Sequence, residues 1–98
     1  MIRYVTLLRF TEQGMKNLDK STSRAAAFEK AASNVGIKVE AQYWTTGSYD
    51  GVLIFSAREE TDAMRCLAAL AAAANVRSEA LRAFTATEFD KIAGFSAV

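Results

Sequence analysis

Histidine and proline are absent from this chain, cysteine occurs once, and neither sign of charge prevails. Without His there is no imidazole ligand for zinc, haem or facial-triad iron, and no imidazole general base. The single thiol, Cys66, excludes an internal disulfide and any thiolate-rich metal site, so neither a metal nor another cofactor is expected. Twelve Lys and Arg against eleven Asp and Glu leave a formal net charge of +1. That charge makes no bulk field for nucleic acid or an anionic membrane, and the basic residues are scattered singly rather than in a stripe. No apolar run reaches the ~18 residues that a bilayer-spanning helix needs. Arg3 and Arg9 interrupt the one apolar stretch near the N-terminus, so no secretory signal is expected and the chain reads as cytoplasmic. Phosphate-loop glycines, metal-ligand spacing and a Ser-His-Asp set are also missing.

What is there is a globular composition: 98 residues, 51% hydrophobic and 23% charged. That length suits a single domain over residues 1–98. Residues 2–10 are β-branched and aromatic and read as a strand with apolar side chains on both faces, Tyr4, Leu8 and Phe10 against Val5 and Leu7. A short helical turn around residues 15–18 is followed by N-cap candidates between Asp19 and Ser23 for a helix of about 22–34. Phe28, Ala31, Ala32 and Val35 form its apolar stripe and Gly36 ends it. Residues 37–46 alternate as a second strand, with Ile37, Val39, Ala41 and Tyr43 opposite Lys38, Glu40, Gln42 and Trp44. Gly47-Ser48 signals a hairpin of two or four loop residues, and 49–57 returns as a third strand. Glu59, Glu60 and Asp62 open a helix of about 60–74, with a core stripe of Met64, Leu67, Ala68 and Ala71. Residues 76–85 form a fourth strand, and Thr85 with Glu88 makes a capping box for a short last helix.

This order gives an α+β ferredoxin-like βαββαβ sandwich: a four-stranded antiparallel sheet, two helices on one face, and a short C-terminal helix. The sheet face away from the helices should then be polar, yet either parity leaves it apolar. Hairpin pairing groups Ala41 and Tyr43 with Val52 and Ile54, and Gln42 and Trp44 with Gly51, Leu53 and Phe55. A second copy packed sheet to sheet is the simplest cover, so a homodimer or larger assembly is expected. The run from Cys66 to Ala74 carries no charge. Its alanines serve either as helix formers on a free face or as a close-approach surface for another subunit.

The segment from Thr45 to Gly51 is the most distinctive. Gly47 and Gly51 allow unusual dihedrals and close approach to a ligand. Asp50 either bonds backbone N–H groups of the turn or stands with Tyr49 as a phenol–carboxylate pair at a pocket mouth, where an acid can act as general base. Tyr43 and Trp44 supply aromatic walls or belong to core and interface. Arg77, Glu79 and Arg82 form an ion-pair face, or Arg82 holds a ligand carboxylate. Cys66, mid-helix with only Arg65 as a basic neighbour, reads as a packing thiol.

Three stretches, 4–7, 43–52 and 75–84, resemble the bacterial GYD-domain family, whose Gly-Tyr-Asp signature corresponds here to Gly47, Tyr49 and Asp50 with Ser48 intervening. The resemblance implies a ferredoxin-like fold related to the dimeric α/β barrels, in which two sheets pack face to face. It implies no particular activity. Superfamily relatives include small monooxygenases, lactone isomerases and regulatory modules, and the enzymes often rely on a pocket His that this chain lacks. The sequence thus points first to a homo-oligomeric protein that binds a small organic molecule near Tyr43, Trp44, Gly47, Tyr49, Asp50 and Arg82. An alternative is a cofactor-free isomerase or monooxygenase with Asp50 as base and Tyr49 or Arg82 stabilising an anion. A third reading is a structural or regulatory oligomerisation module.

Overall fold

A computed structural model describes residues 1–94; residues 95–98, the end of the expected domain, lie outside the described residues. Four strands, β1 (Ile2–Phe10), β2 (Lys38–Trp44), β3 (Gly51–Ala57) and β4 (Val76–Ala83), form one antiparallel sheet in the order β2-β3-β1-β4. Two fourteen-residue helices, α2 (Ser21–Asn34) and α3 (Glu60–Ala73), supply the crossovers. A short α1 (Glu12–Lys16), a 3-10 turn (Leu18–Lys20) and a terminal α4 (Ala86–Ala93) complete the chain. This is the ferredoxin-like βαββαβ arrangement that the order of elements predicts.

Strand register assigns the faces, because directly opposed residues share one side of an antiparallel pair. Tyr4 opposes Phe55 and Arg82, while Thr6 opposes Leu53 and Ala80, on the helix side. Val5 opposes Ile54 and Leu81, and Leu7 opposes Val52, on the open side. In β2 the ladder skips Glu40, a bulge between Val39 and Ala41. An inserted residue reverses the alternation beyond it. Val39 therefore shares the helix side with Phe55, whereas Ala41 and Tyr43 share the open side with Ile54 and Val52. The sequence alternation places these three on one face; the bulge divides them. Glu40 lies on the open side, where its carboxylate takes a hydrogen bond from Arg3 Nε at 2.7 Å. That bond holds the Glu40 acid below its ordinary range.

The core is concentrated where Tyr4 stacks on Phe55 at 5.5 Å between ring centroids. Leu53, Ala57, Ala63, Cys66, Ala32 and Ile37 close around that pair. Full burial of a side chain such as Phe55 contributes about 1.5–3 kcal/mol. Thr6 is also fully buried, and its Oγ1 has no hydrogen-bond partner among the described residues. On α3 the core-facing stripe is Ala63 and Cys66, buried, with Leu67 and Leu70, half-buried, rather than Met64, Leu67, Ala68 and Ala71; Met64 is exposed. The alanine-rich face offers two apolar phases, and packing selects the one carrying Leu70. On α2, Ala32 is buried and Phe28 half-buried, but Val35 lies past the last helical turn and is 65% exposed. None of the Asp19–Ser23 hydroxyls or carboxylates caps α2. Its N-cap position is Lys20, because the 3-10 turn feeds directly into the helix. The Thr85–Glu88 capping box of α4 forms as expected, with Thr85 Oγ1 accepting from the Glu88 N–H and Glu88 Oε1 accepting from the Thr85 N–H.

The start of β4 is clipped to α1. The Thr11 N–H donates to the Asn75 carbonyl at 3.1 Å, and Thr11 Oγ1 donates to the Ala74 carbonyl. Gln13 Nε2 reaches the Ala73 carbonyl and Asn75 Oδ1, each at 3.1 Å. Ala74 ends α3 with φ of 60°, a left-handed conformation that costs a residue with a Cβ about 1–2 kcal/mol. The clip and the register of β4 hold it there.

Candidate functional site

Where the core ends, the two layers separate. A cavity of about 320 Å³ lies between the sheet and helices α2 and α3. Its floor is Leu8, Phe10, Gly51 and Leu53, and α2 and α3 contribute Ala25, Phe28, Ala69, Leu70 and Ala73. The alanines explain the space: a methyl group cannot span the gap that Phe28 and Leu70 reach into. Ser21 and Trp44 stand on opposite walls, joined by a 2.9 Å hydrogen bond from Trp44 Nε1 to Ser21 Oγ. Among the lining residues, Asp50 is the one acid and Arg24 the one base.

The hairpin after β2 positions Asp50. The last ladder pair is Trp44–Gly51, and the Thr45 N–H donates to the Asp50 carbonyl at 2.9 Å. Four residues, 46–49, are enclosed, the wider of the two loop lengths expected. Gly47 takes φ of 97°, which only glycine adopts without strain. The Asp50 N–H donates to the Leu8 carbonyl, and Asp50 Oδ2 accepts from the Phe10 N–H, both at 2.8 Å. The side chain thus continues the β1–β3 ladder one step beyond the backbone pairing. Asp50 does bond a backbone N–H, on β1 rather than in its own turn.

Tyr49 goes elsewhere. Its hydroxyl donates to Glu79 Oε2 at 2.7 Å, and Arg9 stacks over its ring with Cζ 4.7 Å from the centroid. The hydrogen bond to Glu79, then burial, holds the phenol above its ordinary pKa. Arg9 Nε also donates to the Ser48 carbonyl, so the loop is tied to both β1 and β4. Tyr49 and Asp50 are adjacent in sequence but do not bond each other: one grips Glu79, the other the end of β1.

Of the remaining candidates, Trp44 lines the cavity, and Tyr43 borders it from β2 while register puts its side chain on the open face. Gly47 is not among the lining residues. Arg82 lies at the far end of the sheet, donating to the carbonyls of Arg3 and Ala83 and stacking on Phe84 at 4.6 Å. The expected ion-pair face of Arg77, Glu79 and Arg82 does not form among the described residues. Register puts Arg82 with Tyr4 on the helix side and Glu79 with Leu7 on the other. Phe10, Phe28, Leu70 and Gln42 line the cavity but read in sequence as core or surface. Their signal was the alanine content of both helices, too little volume to fill the space above a sheet.

On the open face, Val5, Leu7, Ala41, Tyr43, Val52, Ile54 and Leu81 share one side of the sheet, with Tyr43 62% and Leu81 47% exposed. Cys66 is buried in the core, and burial pushes its thiol up to about 11. Among the described residues, no helix is long and apolar enough to cross a membrane, and no cluster of three or more Cys, Asp or Glu residues is placed to hold a metal ion.

The family model for the GYD domain matches residues 4–93. Comparison with curated proteins and with solved structures returns no match.

Proposed function

We propose, from the premise that this chain belongs to the GYD-domain family, that it binds a small, largely apolar organic molecule in the cavity between sheet and helices. The observation that carries this reading is the cavity itself: about 320 Å³ walled by aromatic, aliphatic and alanine side chains, with few polar groups at its edge. Ligand sites are typically concave and mostly apolar, with a small number of placed polar groups. The working form is a homo-oligomer in which the open sheet faces of two copies cover each other. Its support is the apolar set from Val5 to Leu81, which a monomer would leave in water.

The sole tryptophan, Trp44, stands on the cavity wall and reports directly on occupancy. Decanol, added below its critical micelle concentration, should change Trp44 fluorescence saturably. Ala25→Phe, which places an aromatic ring in the cavity, should abolish the change while leaving the circular dichroism spectrum intact. A wild-type protein that gives no saturable response would overturn the reading.

A further inference from the structure

We infer that the cavity selects its ligand by the charge of the polar end: Asp50 receives an amine or other hydrogen-bond donor at the tip of an apolar body, and apolar carboxylates are turned away. The inference rests on the binding reading above and adds the ligand class. Asp50 Oδ2 is committed to the Phe10 N–H at 2.8 Å, in a half-buried position. Oδ1 has no hydrogen bond among the described residues and keeps some accessible surface, so it can accept from an added donor. Several other polar atoms on the wall are engaged within the protein. Trp44 Nε1 donates to Ser21 Oγ at 2.9 Å, and Asn75 Oδ1 accepts from Gln13 at 3.1 Å. Gln42 Nε2 lies 3.4 Å from the Ala25 carbonyl. Arg24, the opposing charge, is half-buried like Asp50, and its Nη1 donates to the Asn17 carbonyl at 2.7 Å in a solvent-exposed contact. The Asp50–Phe10 contact is the part-buried one of the two. A carboxylate there strengthens a donor and repels an anion more than it would in water.

The test compares three ligands with one apolar body and different ends: decylamine, decanol and decanoate, each titrated at pH 7 against Trp44 fluorescence below its micelle concentration. Decylamine should bind at least about tenfold more tightly than decanoate, the size of one charge-assisted hydrogen bond, with decanol between. Asp50→Asn keeps an oxygen for the Phe10 N–H, removes the charge and turns the second oxygen into an amide NH2. In that variant the three affinities should converge to within about threefold. Equal affinities in the wild type, or a preference for decanoate, would overturn the inference and leave the binding reading standing. An order that survives Asp50→Asn would overturn it as well, by placing the charge discrimination elsewhere. Failure of all three ligands to bind would instead remove the binding reading itself. The wild-type order is informative even if the variant does not fold.

Discussion

Replacing Gly14 with alanine should destabilise the protein, although alanine is the better helix former. Gly14 is buried in α1, and a Cβ built there falls far inside van der Waals distance of the Asn75 carbonyl oxygen. The same Cβ lies 3.1 Å from the Asn75 carbonyl carbon and 3.2 Å from Phe10 Cδ1. Both neighbours are held: Asn75 by the Thr11 and Gln13 clip, Phe10 by Asp50. Relief of the clash needs α1 to move off the start of β4, which breaks two or three hydrogen bonds at about 1 kcal/mol each. Helix propensity returns about 1 kcal/mol. The net loss is about 1–2 kcal/mol, or roughly 5–15 °C in Tm for a domain of this size. Thermal unfolding followed by circular dichroism reads the shift. Because Phe10 and Asn75 line the cavity, decanol affinity should fall in the same variant. A Tm that stays level or rises by the ordinary glycine-to-alanine gain would refute the close packing of α1 on the α3–β4 junction.

Thr6→Val should raise stability by about 1–2 kcal/mol, since valine matches threonine in shape and removes a buried hydroxyl that has no partner among the described residues; chemical denaturation at constant m-value measures it. Cys66 should react with Ellman's reagent at pH 8 only as fast as the protein unfolds, and rapidly once guanidinium is added, because the native thiol is both buried and raised to about 11. The native state keeps that proton beyond the ordinary thiol value of 9.0. The Cys66 contribution to stability is therefore complete below that value and lost as pH rises through 11, a loss that Cys66→Ala should remove from the alkaline limb of a stability–pH curve.

Element order is legible in the sequence because apolar periodicity and terminal signals agree locally, while the strands β2, β3 and β4 fall a residue or two inside their expected spans. Gly36, at φ of 78°, and the Thr85–Glu88 box mark helix ends where they are expected. The phase of α3 is not legible. In a helix this rich in alanine, two stripes are equally apolar, and only contact with Phe55 and its neighbours selects Ala63, Cys66 and Leu67 over Met64 and Ala68. The bulge at Glu40 is hidden for a different reason. A strand pattern of period two carries no local mark of one inserted residue whose partner, Arg3, lies 37 positions away. The hairpin is recognisable as distinctive, yet adjacency in sequence suggests a Tyr49–Asp50 pair that the turn geometry separates. Tyr49 is carried to Glu79 and Asp50 to Phe10, partners 30 and 40 residues distant. Trp44 is legible as an aromatic wall from its type and its place at a strand end, whereas Phe10 and Leu70 acquire that role only when the layers are assembled.

Native mass spectrometry of the freshly purified, untagged protein, followed by denaturation and analysis of whatever small molecule is released, tests the central claim most directly. The account predicts an assembly with an even number of subunits, formed by pairing of the open sheet faces, able to carry one apolar molecule per cavity and to bind decanol at the same stoichiometry. A stable monomer that carries nothing and takes up no decanol would contradict both the paired sheets and the ligand cavity.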